Sequence, residues 1–275
     1  MIKHTILSLL FVTGIANADP TVVINGGPAT SPTSVFTQAY ASALNDGEFK
    51  LVKTCDEAIA LAAQTQKSIY LIFNDGVATS AKQGKNCYEN IDNDKVVFMA
   101  DNTFQVCRKP TTTKKLTDPG VKVGRASVST VKAFVTDFNS HNNASIVGIP
   151  FSGSKAVLAG VLNGDIDYGI IASDIAAPMV EQGKIVCDFD TTEKGSKTKK
   201  SLNDHYVLSL DGYTLKYMLI APNASATDMS YYRSIAKGPY FTEYIKKNGF
   251  YNVRTVPSKS DVGKFVTSVE ELINY

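Results

Sequence analysis

Stretches of β-forming apolar residues alternate with stretches of helical spacing along most of this chain, and that alternation is its strongest constraint on the fold. Thr21 to Ile24 and Ser68 to Phe73 are apolar and β-rich, and each ends in a cluster of turn residues. Val128 to Phe138 and Val262 to Ile273 instead place apolar residues on one helical face. Strands that alternate with helices are typical of α/β folds with mainly parallel sheets. The sequence therefore predicts an α/β protein.

The predicted elements fill a chain of 275 residues with 44% apolar content, which is enough for two domains of ordinary size. Val96 to Ala100 and Phe104 to Arg108 predict two separate strands. Thr54 and Glu57 have the spacing of a capping box at the start of a helix. Near the C-terminus, Met229 to Asn248 predicts one long helix.

Four of the predicted strands end in loops rich in Gly, Ser, Thr or Asn. These loops are Gly26 to Ser34, Asn74 to Ser80, Gly124 to Thr130 and Ser152 to Ser154. Three of them open a helix, so free backbone N–H groups and the positive end of the helix dipole face the carboxyl edge of the sheet. In open α/β sheets ligands bind at that edge. Each hydroxyl alone also fits a helix cap, but as a set the loops predict an anion-binding cleft.

The segment from Gly148 to Ile170 begins with a near match to a nucleotide-binding P-loop. That motif needs Gly-Lys followed by Ser or Thr, because the lysine reaches the β- and γ-phosphates and the hydroxyl holds magnesium. Here the order is Gly153-Ser154-Lys155, which reverses the two roles, and Pro150 removes an N–H group from the loop. The sequence therefore argues against nucleotide hydrolysis.

The N-terminus has the pattern of a removable secretory signal. Lys3 precedes the apolar run Thr5 to Ile15, and Ala16-Asn17-Ala18 follows as a small-x-small cleavage site. We therefore predict cleavage after Ala18 and an exported mature chain. The apolar run is too short to span a membrane as a mature helix.

Charge and metal-binding residues exclude several classes of partner. The formal net charge of +2 comes from acids and bases that are mixed along the chain. The one basic run, Lys194 to Lys200, has the composition of a solvated loop, so no nucleic-acid partner is predicted. The chain has three histidines, one of them in the signal, and its cysteine spacings fit neither a CxxC pair nor a zinc ribbon. We predict neither a metal nor another cofactor.

The four cysteines are Cys55, Cys87, Cys107 and Cys187. An even number of cysteines in an exported chain predicts one or two disulfides. Three complete pairings are possible, and we favour the one that joins Cys87 to Cys107 because it closes the shortest loop.

The segment VGIPFSGSKAVLAGVLNGDIDYGI resembles tripartite tricarboxylate transporter receptors, which are Bug-type or TctC-type extracytoplasmic solute-binding proteins. Leu162 to Asp167 matches the Leu-x-Gly-x-[IV]-Asp end of the family's helix. VKVGRASVSTVKAFVTDF, SDIAAPMVEQGKI and LIAPNASATDMSYYRSI are similar to other family segments, in the same order. The resemblance implies a type II periplasmic binding protein fold, in which two α/β domains are joined by two crossing strands. The implied domains are 19–106 plus 219–275, and 107–218.

The resemblance also implies a function: a periplasmic, monomeric receptor that holds a small molecule, commonly a carboxylate, in an interdomain cleft and delivers it to integral membrane transporter subunits. Arg125 and Lys155 would pair with charge on the ligand or would be solvated, whereas Asp75 and Asp174 would bind an amino group or water, or repel a polyanion. The cleft residues implied by position are Ser31, Thr33, Ser34, Asn74, Asp75 and Thr79 from the first domain, and Ser127, Ser129, Thr130, Ser152, Gly153, Ser154 and Asp174 from the second.

The chain departs from the family pattern at its first loop, INGGPATSPTS, where Ser34 stands in place of the usual aspartate. This departure leaves the ligand class open. Two alternatives remain. One is an exported hydrolase that uses a cleft serine, but the chain has no GxSxG motif and only His141 and His205 as bases. The other is an exported protein-interaction module, which an exposed apolar patch would favour. The expected class is a binding protein and not an enzyme.

Overall fold

The structure is a computed structural model that describes residues 19–26, 31–88, 91–126, 129–191, 200–208 and 213–274. The predicted signal, residues 1–18, and most of the predicted basic run lie outside these ranges. Within the described ranges, none of the helices combines the length and the apolar character needed to cross a membrane.

The first half of the chain forms a parallel β-α unit, here called the first unit. Its elements are β1 (Thr21–Gly26), α1 (Pro32–Ala43), β2 (Gly47–Val52), α2 (Cys55–Gln64), β3 (Ser68–Phe73) and α3 (Asn74–Ala81). Strand β1 lies between β2 and β3 and is parallel to both. The carboxyl ends of β1 and β3 therefore lie at the same edge of the sheet.

The long strand β4 (Val96–Arg108) leads from the first unit into a second unit of the same construction. The elements of the second unit are β5 (Lys122–Ala126), α4 (Ser129–His141), β6 (Val147–Phe151), α5 (Ser154–Asn163), β7 (Tyr168–Ala172) and α6 (Ser173–Glu181). Strand β5 lies between β6 and β7 and is parallel to both. The two units thus repeat one strand order, with the first strand in the middle.

The rest of the chain completes both sheets and adds three helices to the first. The elements are β8 (Val186–Asp190), β9 (Lys200–Ser201), β10 (Thr214–Ile220), α7 (Ala226–Lys237), α8 (Pro239–Lys247), β11 (Tyr251–Arg254) and α9 (Lys259–Asn274). Short 3₁₀ turns occupy Asn93–Lys95 and Leu202–Asp204.

Strand β4 connects the two sheets by changing partners along its length. Its first part, up to Thr103, pairs antiparallel with β10, and β11 pairs with it as well. From Phe104 onward it pairs antiparallel with β7 and β8. Near the change of partners, the Ser173 hydroxyl at the start of α6 donates to the Thr103 carbonyl at 2.8 Å. Phe104, at which the partners change, lines the cleft described below, so the cleft lies beside a single continuous strand.

Three local predictions are wrong, each for a physical reason. The two strands predicted within 96–108 are one strand, because its buried polar residues continue the pairing across the junction. The helix predicted over 229–248 is two helices, because Pro239 disfavours a helical conformation at Gly238, whose ψ is 152°. The Thr54 side chain makes no capping hydrogen bond to α2, and the Glu57 carboxylate accepts from the Lys53 N–H at 2.8 Å.

The disulfides are Cys55–Cys87 and Cys107–Cys187, so the predicted Cys87–Cys107 pair is wrong. Cys107 lies on β4 directly opposite Cys187 of β8. Cys55 begins α2, and its partner follows α3 in the same unit. The shortest loop does not close because β4 carries Cys107 away from the first unit and into the second sheet. Each unit has its own disulfide.

The core of the first unit is built around aromatic rings. Phe36 of α1 is fully buried, and its ring centroid lies 5.2 Å from those of Tyr217 and Phe250 and 5.5 Å from that of Phe241. Ring pairs at these separations contribute about 0.5–1.5 kcal/mol each beyond the burial of their apolar area. This packing holds Tyr217, on β10, against the edge of the cleft.

Candidate functional site

A cavity of about 250 Å³ lies between the two units, where the carboxyl ends of β3, β5, β6 and β7 meet the middle of β4. Its walls come from both units and from β10. The lining residues are Ser31, Pro32, Thr33, Phe73, Asp75, Phe104, Ala126, Ser152, Gly153, Ser154, Lys155, Ala156, Ala172, Ile175, Leu215 and Tyr217. This cavity is called the cleft below.

The first wall of the cleft is the N-terminus of α1. Ser31 is the N-cap residue, and its hydroxyl accepts from the Ser34 N–H at 3.2 Å and lies 2.7 Å from the Thr33 hydroxyl. Pro32 follows at the first helical position, where a missing N–H costs nothing. The first turn of α1 contains no acidic residue, so the positive end of its dipole is not neutralised from within the helix.

The facing wall is the N-terminus of α5, formed by Ser152, Gly153 and Ser154. Gly153 is the N-cap, and the described residues provide α5 with no side-chain cap. A Cβ at Gly153 would have nothing within 4 Å, so this position opens directly into space. The Ser154 hydroxyl accepts from the Ala172 N–H at 3.3 Å, which ties α5 to the end of β7. Lys155 adds a positive charge to this wall.

The floor of the cleft is apolar and was not predicted. Phe73 ends β3, Phe104 lies where β4 changes partners, and Leu215 and Tyr217 project from β10. Ile175 of α6 completes the surface. These residues come from strands whose apolar side chains are equally suited to a core, so only the tertiary arrangement distinguishes them.

Two carboxylates and a tyrosine hydroxyl form a further polar part of the site. The carboxylates belong to α3 and α6, the third helices of the two units, and the tyrosine belongs to β10. Asp75, in the first turn of α3, lines the cleft and is 2% exposed. Asp174 occupies the corresponding place in the first turn of α6, next to the lining residue Ile175. Its Oδ1 atom is buried and accepts no hydrogen bond from any described residue, and the same holds for the hydroxyl of Tyr217.

Burial is the main cause that raises the pKa of Asp174 to about 6. Hydrogen bonds from the backbone N–H groups of Asp174 and Ile175 act in the opposite direction, as does the positive charge of Lys155. Burial also raises the pKa of Tyr217 well above its ordinary value, and the charges of Asp174, Tyr244 and Asp75 add to the rise. The acidic groups and the tyrosine therefore share one electrostatic environment.

The predicted cleft residues divide into three groups. Those that line the cleft are Ser31, Thr33, Asp75, Ser152, Gly153 and Ser154. Those that are described but do not line it are Ser34, Asn74, Thr79 and Asp174, the last being adjacent to it. Ser127 lies outside the described residues, as do the side chains of Ser129 and Thr130 at the start of α4.

Ser34 and Asn74 have structural partners instead. Ser34 is fully buried, and its hydroxyl accepts from the Asn25 amide at 2.7 Å. The Asn74 amide donates to the Thr214 carbonyl at 3.1 Å, and its Oδ1 accepts from the Lys216 N–H at 3.0 Å. The predicted loop over 74–80 is wrong, because α3 begins at Asn74, directly after β3. Thr79 consequently lies on the exposed face of a helix.

The remaining polar candidates lie away from the cleft. His141 Nδ1 is 2.9 Å from Oδ1 of Asp137 on the same helix, and the ring of His205 packs against Phe189 at 5.3 Å between centroids. Neither histidine is a lining residue, and nor is Arg125. The cleft serines therefore have no histidine base among the described residues.

Solved structures of solute-binding proteins share this fold. A TctC solute-binding protein from Polaromonas superposes with a TM-score of 0.65 at 13% identity, over 94% of this chain and 98% of its own. MatC from Rhodopseudomonas palustris, with bound malate, gives a TM-score of 0.65 at 13% identity over 93% and 98%. A second Rhodopseudomonas palustris protein, with adipate, gives 0.68 at 12% identity over 93% and 94%.

These superpositions confirm the predicted α/β fold of the type II periplasmic binding proteins, and they confirm the resemblance to TctC-type proteins at the level of fold. No protein-family model matches the sequence, and no curated protein matches it.

Proposed function

We propose that the protein is an extracytoplasmic receptor that binds a small carboxylate-containing metabolite in the cleft and delivers it to integral membrane transporter subunits. In this proposal it acts in the periplasm as a monomer, and the cleft closes between domains 19–106 plus 219–275 and 107–218. The observation that supports it best is the pairing of two helix N-termini, those of α1 and α5, across one cavity.

Helix N-termini attract carboxylates because their first N–H groups have no partner within the helix and point along the positive end of the dipole. Neither α1 nor α5 has an acidic residue in its first turn to neutralise that charge. The hydroxyls of Ser31, Thr33 and Ser152 add donors without filling the space. The apolar floor then suits the carbon skeleton of the ligand, so the cleft combines a polar rim with an apolar base.

The structural neighbours support the same ligand class, because two of them hold malate and adipate, which are dicarboxylates. Strand β4 supports a hinge, because a continuous strand that changes partners between Thr103 and Phe104 can bend while both units keep their pairing. We propose binding and not catalysis, because the described part of the chain brings no histidine base to the cleft serines.

The proposal is tested by titrating the mature chain with malate, succinate, glutarate, adipate, acetate and pyruvate in a calorimeter and in a thermal-shift assay. We expect at least one carboxylate to raise the melting temperature, because a ligand at 100 times its Kd adds about 2.7 kcal/mol to stability. No binding across a full panel of carboxylates, amino carboxylates included, would overturn the proposal.

A matched pair of variants at Gly153 locates the site. Gly153→Asp places a negative charge at the N-terminus of α5, where a side chain meets open space. Aspartate is a favourable N-cap, so folding is expected to be unharmed while carboxylate affinity falls at least about tenfold. Gly153→Ala is the control for side-chain size. Equal affinity in the two variants would show that the ligand lies elsewhere.

A further inference from the structure

The four described helix N-termini around the cleft differ in charge. The helices α1 and α5 begin without acidic residues, whereas α3 and α6 each carry an aspartate at their second position. Asp75 and Asp174 thus neutralise the positive ends of their own helices. Two of the helix N-termini at the cleft therefore favour anions, and the other two do not.

An independent observation concerns Tyr217, a residue whose pKa is raised by burial and also by the charges of both aspartates. Tyr217 projects from β10 into the wall of the cleft, is fully buried, and its hydroxyl has no partner among the described residues. The Oδ1 atom of Asp174 is likewise buried and unsatisfied. Buried polar atoms normally have hydrogen-bond partners. Both orphan atoms can accept a hydrogen bond, and Asp75 lines the same region with a second carboxylate.

We infer that the ligand of the cleft is an amino acid, with its ammonium group bound by Asp75, Asp174 and Tyr217 and its carboxylate at the N-termini of α1 and α5. An ammonium group offers three donors and one positive charge, which suits two carboxylates and the Tyr217 hydroxyl oxygen, since all of these atoms can accept a hydrogen bond. This inference rests on the proposed carboxylate-binding function and adds the second charged group.

The apolar floor of the cleft indicates which kind of amino acid would fit. Phe73, Phe104 and Leu215 form an apolar surface beside the aspartates, so the side chain of the ligand is apolar or short. A dicarboxylate without an amino group would place its second carboxylate on this surface or against the two aspartates. Either arrangement is unfavourable, because it buries a charge without a partner or brings like charges together.

Binding of an ammonium group at this place depends on pH in a defined direction. Burial holds the pKa of Asp174 at about 6, and the charged or titratable groups around this carboxylate are Lys155 on α5, Tyr217 on β10 and Tyr244 on α8. As the pH rises from about 5.5 to 7.5, Asp174 becomes ionised, so an ammonium ligand binds more tightly. A carboxylate without an amino group binds less tightly over the same interval, because the added charge repels it.

The test compares amino acids with their deaminated analogues in the full mature chain. Two pairs of probes are used, L-leucine with 4-methylpentanoate and 4-aminobutanoate with butanoate. We expect at least one amino compound to bind about tenfold or more tightly than its analogue, and to bind more tightly at pH 7.5 than at pH 5.5. This result supports the inference.

Single substitutions test whether Asp75, Asp174 and Tyr217 cause the preference for the amino compound over its deaminated analogue. Asp75→Asn, Asp174→Asn and Tyr217→Phe are expected to reduce the preference for the amino compound by about tenfold, fivefold and threefold while the analogue binds as before or better. The control is Asp165→Asn, an exposed carboxylate near the far end of α5. Circular dichroism establishes that each variant is folded, and the pH series on the unaltered chain stands if one is not.

The outcomes separate this inference from the proposed function. If the analogues bind as tightly as the amino compounds, or bind more tightly as the pH rises, the inference is overturned and the carboxylate receptor stands. If carboxylates such as malate bind and no amino compound does, the inference is also overturned. If no compound of either kind binds, both are overturned.

Discussion

The two units of the molecule have the same strand order and the same succession of helices, but they are stabilised differently. The first unit carries the aromatic cluster of Phe36, Tyr217 and Phe241, and the C-terminal helices pack against it. In the second unit, Phe134 and Phe138 of α4 belong to the large core, and a separate, smaller aliphatic cluster surrounds Val157 and Val161 of α5. Identical topology therefore does not imply equal stability, because helices α5 and α6 of the second unit pack on a small aliphatic cluster of their own, whereas the helices of the first unit share the large core.

The disulfides follow the same division. Cys107 is part of the small cluster in the second unit and is fully buried, and its bond to Cys187 joins two strands of one sheet. The Cys55–Cys87 bond of the first unit instead joins the start of α2 to the segment that follows α3. A small core depends more on a covalent link than a large core does. The second unit should consequently be the more sensitive to reduction.

Removal of the disulfides is expected to have the largest effect. The Cys107–Cys187 bond spans 80 residues and the Cys55–Cys87 bond spans 32. Loop-closure entropy then predicts losses of about 4.5 and 3.7 kcal/mol for the corresponding double alanine variants. Urea denaturation of the two variants measures the difference. A larger loss for Cys55–Cys87 would contradict the proposed dependence of the second unit on its link.

One glycine from each of the equivalent strands β1 and β5 sharpens the comparison. A Cβ at Gly26, which ends β1, would collide with the backbone carbonyl of Thr54, whereas at Gly124 in β5 it would collide with the side chain of Ile166. A side chain can move more easily than a backbone carbonyl. We expect Gly26→Ala to cost about 3 kcal/mol and Gly124→Ala about 1–2 kcal/mol. Equal losses in thermal denaturation would show that the small core of the second unit is as rigid as the backbone of the first.

A substitution at Asp174 is expected to stabilise the protein, in contrast to the substitutions described above. Its pKa is about 6 in the folded protein and 3.8 for an ordinary aspartate, so ionisation disfavours folding as the pH rises through this interval. Asp174→Asn removes that cost and is expected to stabilise the ligand-free protein by about 1–3 kcal/mol at pH 7.5. The gain should diminish as the pH falls below about 6 and vanish near pH 4.

The control for this prediction is Asp165→Asn, because Asp165 is exposed. The melting temperatures of both variants over the pH range provide the measurement. A gain at Asp174 that is independent of pH would show that burial of charge is not its cause.

Much of the fold and part of the cleft could be predicted from the sequence, because both follow from local patterns. The runs of apolar residues located β1 and β3, and the loops after the strands placed Ser31 and Ser152 in the cleft, since parallel strands end at one edge. Ser152 directly follows β6, and Ser31 directly precedes α1, so the adjoining elements fix their positions.

The features that could not be predicted from the sequence depend on contacts between distant parts of the chain. Phe104 and Tyr217 line the cleft because β4 and β10 pass beneath it, and nothing in their local sequence distinguishes them from core residues. Cys107 pairs with Cys187 because β8 lies beside β4 in a particular register. Asn74 resembles a ligand-binding loop residue in sequence, but its amide binds the backbone of β10.

The smallest expected effects concern the helix caps of the two cleft walls. In the first unit, the Ser31 hydroxyl caps α1. In the second, Gly153 begins α5 without a side-chain cap from the described residues. Ser31→Ala is expected to cost about 1 kcal/mol, and Gly153→Ser to stabilise by a few tenths of a kcal/mol, since a Cβ there meets no atom within 4 Å. Urea denaturation with replicate titrations resolves the first effect, and a thermal scan of both variants together resolves the second.

If Gly153→Ser stabilises the protein and weakens carboxylate binding, the open cap of α5 is explained by the ligand, because a serine hydroxyl would accept from the N–H groups that the ligand needs. The same serine with no effect on binding would contradict this explanation and would leave α1 as the main anion-binding wall. Ser31→Ala distinguishes the two cases independently. Its hydroxyl already caps α1, so its removal should reduce stability more than it reduces affinity, whereas at α5 the order should be reversed.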